Sequence, residues 1–97
     1  MNASIHLSEH AIHRSQQRSI PEIVIACLIE YGQAIPVRGK AISYTLTAEA
    51  LREAKSDLPE RDYQYLEKKK NAYVIVSDEG TVITTAWSKN NHFKLAA

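Results

Sequence analysis

A histidine and two arginines, His10, Arg14 and Arg18, recur at steps of four within Ser8-Glu9-His10-Ala11-Ile12-His13-Arg14-Ser15-Gln16-Gln17-Arg18-Ser19-Ile20-Pro21. On an α-helix they fall within an arc of roughly 80° and rise about 6 Å per step, so they share one face. Arginine is an always-charged fork that matches phosphate oxygens, and histidine can accept or donate a proton near neutral pH. The combination suits metal-independent cleavage of RNA. A base removes the 2′-OH proton, cations hold the charge of the phosphorane, and an acid protonates the departing 5′-oxygen. In this reading His10 is the base, Arg14 and Arg18 are the stabilisers, Tyr44 or His92 is the acid, and Arg38 or Lys40 completes the phosphate site. The plainer alternative is a solvated helix face, or arginines that pair with carboxylates such as Glu22 or Glu30.

Other residues offer less. His6, His10 and His13 invite a metal reading, but a helix capped by Ser8 leaves His6 outside it, and no Cys–His pair or His-Glu-x-x-His signature is present. No metal and no cofactor is expected. Tyr63, Tyr65 and Tyr73 can stack on bases, although core or groove-lining roles are commoner for tyrosine. Trp87 reads as a core residue or sheet-face anchor.

These side chains need a scaffold. The 97 residues fit one domain, 1–97, with a core over about 8–87 and a polar tail over 88–97. A net charge of +1 argues against strong non-specific binding of nucleic acid, so any anion site must be local. The lone cysteine, Cys27, can make no internal disulfide, which agrees with a reducing cytoplasm. No signal peptide is expected, because His6, Glu9, His10 and Arg14 interrupt the N-terminus. The apolar run Ile23 to Ile29 is too short to span a bilayer. The expectation is a soluble cytoplasmic domain with no membrane partner and an open oligomeric state.

In chain order, residues 1–7 read as a loosely held lead-in, with Ile5 and Leu7 available for packing. Ser8 caps a first helix over about Glu9 to Arg18 whose apolar side is Ala11 and Ile12. Pro21 and Glu22 open a second helix, apolar on nearly every side and closed by Gly32 as its C′ residue. Gln33 to Arg38, holding Pro36, is a short edge strand. Gly39-Lys40 turns into a strand over 41–46 in which Ile42, Tyr44 and Leu46 alternate with Ser43 and Thr45. Thr47 caps a third helix with Leu51 and Ala54 inward. Asp57 and Glu60 have capping-box spacing for a fourth over 61–71, where helix is favoured over strand. Residues 72–77 and 81–87 form a hairpin about Asp78-Glu79-Gly80. The fold class is α+β: N-terminal helices on one face of an antiparallel sheet of about four strands.

The Ser-Glu-His-Ala-x-x-Arg-Ser-Gln-Gln-Arg-Ser-Ile-Pro opening at 8–21, the buried helix ending at Tyr31-Gly32 and the closing hairpin of Ala72 to Thr85 resemble the small bacterial domain-of-unknown-function family 4258. The resemblance covers about residues 8–87. The spaced His10, Arg14 and Arg18 are its more specific part, and Ser19 stands where the family has glycine. The family is similar in element order to RelE/ParE-like toxins and related metal-independent ribonucleases. By that analogy the resemblance implies a toxin-like domain that binds RNA and can act as a metal-independent endoribonuclease; the alternative is a non-catalytic protein- or RNA-binding module of the same fold. RNA and an antitoxin-like protein are the implied partners.

Overall fold

The computed structural model describes residues 5–88. In order these form β1 (His6–Leu7), α1 (Glu9–Gln17), α2 (Glu22–Tyr31), β2 (Gln33–Val37), a 3-10 turn (Arg38–Lys40), β3 (Ala41–Thr45), α3 (Ala48–Asp57), α4 (Glu60–Lys68), β4 (Ala72–Val76) and β5 (Thr81–Trp87). The strands make one sheet in the order β1-β5-β4-β3-β2. Its ladders are antiparallel except β1 on β5, which is parallel. The class is therefore α+β, with a five-stranded mixed sheet in place of the expected four-stranded antiparallel one. The extra strand is only two residues long, too short for any periodicity, and lies within the expected lead-in.

One core joins the helices to one face of the sheet. Ala11, Ile20, Val24, Ile25, Leu28, Leu51, Ala54 and Leu66 pack with Val74, Val76 and Val82. Register puts Ile42 beside Val76 and Tyr44 beside Val74, so the alternation read in β3 is correct as to face. The opposite face carries Ser43 and Thr45 next to Ile75 and Tyr73.

The capping chemistry explains most boundaries. The Ser8 and Thr47 hydroxyls accept from the N–H groups of Ala11 and Ala50, three residues on, as N-caps should. The end of α1 is a Schellman motif: the N–H of Ile20 donates to Ser15 O at 3.0 Å and that of Ser19 to Gln16 O at 3.4 Å. Ser19 holds a left-handed φ of 55° and Ile20 is fully buried behind it.

Three local expectations are corrected. Ile12 is 45% exposed, because Ala11 alone faces the sheet and no neighbouring described element covers the next residue round the helix. Ile23 is also exposed, while Val24, Ile25, Cys27 and Leu28 leave α2 buried on most of its sides. Gly32 closes α2 as its C-cap with an extended backbone, φ −71°, not as a left-handed C′ residue. Its glycine is needed for space: a Cβ there would overlap the carbonyl oxygen of Leu28 and crowd that of Thr45. The Asp57/Glu60 capping box does not form. Asp57 is the last residue of α3, its carboxylate accepts from the Tyr31 hydroxyl at 3.2 Å, and α4 starts behind Pro59 without a side-chain cap.

Candidate nucleic-acid interface

Helix α1 lies along β5, pinned at both ends. At its start the N–H of Ser8 donates to Val82 O at 3.0 Å and the Ser8 hydroxyl to Ile83 O at 3.3 Å. At its end an Arg18 guanidinium N–H donates to Thr85 O at 3.2 Å, and the indole N–H of Trp87 donates to Arg18 O at 3.2 Å. The helix is thus a surface element with a fixed orientation.

His10 and Arg14 are brought together. Arg14 Nε donates to His10 Nε2 at 3.3 Å, and its terminal nitrogen donates to Gln17 Oε1 at 2.9 Å. Arg18 turns from this cluster toward β5. Among the described residues, the hydrogen-bond partners of the two arginines are the His10 ring, the Gln17 amide and the Thr85 carbonyl, and the alternative pairing with Glu22 or Glu30 is not made. Tyr44 lies on β3, separated from β5 by β4, with its ring packed on the core. Arg38 and Lys40 are exposed in the turn between β2 and β3, at the other side of the sheet from α1 and β5. His92 lies outside the described residues. The proposed base and its arginine therefore meet, while Tyr44, Arg38 and Lys40 do not join them.

A different group surrounds the C-terminal end of α1. Trp87 is 38% exposed and Tyr65, on α4, is 44% exposed. The Lys69 ammonium stands 5.7 Å from the Trp87 ring centre and 5.9 Å from that of Tyr65, within cation–π range of both. Beyond Tyr65, Arg61 and Lys68 line the same open depression of about 350 Å³, together with Asp62 and Gln64. The result is a strip with two accessible rings and four cations, Arg18, Lys69, Lys68 and Arg61, around them. Exposed rings offer flat faces to unpaired bases, and cations between and beside them suit the backbone phosphates. Within the sequence, Tyr65 and Lys69 at i and i+4 on one helix were the available signal. The arrival of Trp87 beside them depends on strand pairing far along the chain.

Two further ionisable groups are perturbed but lie elsewhere. Cys27 is buried in α2, and desolvation, with Asp62 and Glu30 adding negative potential, pushes its thiol pKa up. That holds it as an inert thiol rather than a nucleophile. Partial burial and the hydrogen bond to Asp57 push the Tyr31 hydroxyl up to about 12. Among the described residues no group of three or more His, Cys, Asp or Glu side chains is placed to hold a metal ion, and no helix is long and apolar enough to cross a membrane. No protein-family model, curated protein or solved structure matches the chain.

Proposed function

We propose that this protein binds single-stranded RNA on the strip formed by Arg18, Trp87, Lys69 and Tyr65. The observation that carries the reading is the Lys69 ammonium held between two exposed aromatic rings. A base stacked on Trp87 or Tyr65 gains about 1–3 kcal/mol, and the neighbouring cations attract its phosphate. The near-zero net charge fits a local, stacking-dependent site better than a broad electrostatic one. The non-catalytic form of the function is the better supported, because Tyr44, the candidate acid among the described residues, lies on β3 with β4 between it and β5.

The test is binding of a fluorescently labelled single-stranded oligoribonucleotide, followed by anisotropy. Tyr65→Ala and Trp87→Ala should each weaken binding by about tenfold, and Lys69→Ala should flatten the salt dependence. Equal affinity for duplex RNA, or unchanged affinity in all three variants, overturns the reading.

A cleaving, toxin-type version has one observation in its favour. Arg14 Nε donates to His10 Nε2, which sets the base beside its cation, and the Nε2 lone pair can take a 2′-OH proton once Arg14 moves to the phosphate. This version includes kinship with family 4258, a RelE/ParE-like fold and an antitoxin-like protein partner. It predicts that expression slows growth and that His10→Ala or Arg14→Ala relieves the effect. Unrelieved harm from both folded variants removes it and leaves the binding function standing.

A further inference from the structure

The edge of the sheet opposite α1 is β2, and all five of its residues are exposed. Natural edge strands are commonly guarded by charged side chains, yet Gln33-Ala34-Ile35-Pro36-Val37 contains none. Pro36 is its single guard, and an incomplete one. Proline has no N–H, and the β2–β3 ladder keeps register across Pro36 and Ile42, so Pro36 takes the parity whose backbone groups face away from β3. Ala34 shares that parity. The free edge therefore offers the N–H and C=O of Ala34 and the C=O of Pro36. Ile35 and Val37, 39% and 38% exposed, stand on the sheet face away from the helices, the face that also carries Ser43 and the partly exposed Ile75.

We propose that β2 pairs antiparallel with β2 of a second copy of this chain, about a two-fold axis through Ile35. In that register Ala34 N–H donates to the partner's Pro36 C=O, and the symmetry repeats the bond. Each Ala34–Pro36 pair across the axis therefore makes one hydrogen bond where a proline-free edge would make two, and the pairing relies on the Ile35 contact and the end charges for the rest. Ile35 meets the partner's Ile35 as a non-hydrogen-bonded pair, the closer of the two cross-strand spacings. The charges also favour this direction. Glu30 precedes the strand, Arg38 and Lys40 follow it, and all three are exposed. Antiparallel self-pairing sets the basic end of each strand against the acidic end of the other, whereas parallel pairing sets like against like. An isologous contact of this kind closes after two copies and gives one continuous sheet with the helices of both on the same face.

Sedimentation velocity over a concentration series tests the proposal, with a species of twice 10.9 kDa expected. Ile35→Lys and Ile35→Glu each place like charges across the axis and should raise the dissociation midpoint by about tenfold or more. Because residue 35 is exposed, both variants should keep the parent's circular dichroism. Mixed one to one, they should dimerise again through a Lys–Glu pair. A parent that stays monomeric throughout the series, variants that dimerise as the parent does, or a mixture of folded variants that stays monomeric, each overturns the pairing.

Discussion

The indole N–H of Trp87 donates to the carbonyl oxygen of Arg18, and the Arg18 guanidinium donates back to Thr85 O two residues earlier on the same strand. This reciprocal pair does two things. It satisfies a carbonyl at the C-terminal end of α1, where intrahelical partners run out. It also fixes the indole in the position where Lys69, which reaches Tyr65 as well, meets it. The link connects sequence positions 18 and 87 and makes the proposed RNA-binding strip depend on the seating of α1.

That seating carries a cost at Ser19. A non-glycine residue in the left-handed region is less stable there by about 1–2 kcal/mol, and Ser19 has a φ of 55°. Ser19→Gly should therefore stabilise the protein by about 0.5–1 kcal/mol, after the added freedom of the unfolded chain is subtracted. Urea midpoints measure it. A destabilised variant would show that the serine is making a contact worth more than the strain.

Thr45 offers a second gain. It is 2% exposed on the face away from the helices, and its hydroxyl oxygen has no hydrogen-bond partner among the described residues. A buried unpaired hydroxyl costs about 1–3 kcal/mol, and valine has nearly the same shape and suits a strand. Thr45→Val should raise the urea midpoint without changing the slope of the transition. A loss of more than about 1 kcal/mol would mean that the hydroxyl is satisfied in solution.

Tyr31 sets an alkaline limit. Its folded-state pKa of about 12 lies above the ordinary value of 10.0, so the folded protein holds the phenolic proton more tightly than the unfolded chain does. The associated stability is fully present below pH 10 and is lost as pH rises through 12. Stability measured across that interval should fall less steeply in Tyr31→Phe than in the parent. Equal slopes would remove the Tyr31–Asp57 bond from the account.

The elements were legible wherever a local rule decides them. Ser8 and Thr47 cap helices because their hydroxyls reach amides three residues away, and the hairpin is written in two β-rich runs around Asp78-Glu79-Gly80. The left-handed backbone of Ser19 is set by the Schellman turn, and nothing in the residue type serine announces it. What escaped a sequence reading was non-local. Two residues, His6–Leu7, carry no pattern, and they become a strand only because the flank of β5 is there to pair with them. Tyr44 alternated correctly to the core face, yet nothing in that alternation could say that β4 separates it from β5. Likewise His10 and Arg14 meet by helical spacing, while Trp87 and Lys69 meet only through the fold.

Trp87 is the protein's one tryptophan, so its fluorescence reports on the strip alone. Titration with an unlabelled single-stranded oligoribonucleotide, watched at the indole emission, tests the central claim most directly. Stacking of a base on the ring should quench the emission in a saturable way, and Lys69→Ala and Tyr65→Ala should move the midpoint to higher RNA concentration. Binding seen by another method with no change in Trp87 emission, or no binding at all at low salt, would contradict it.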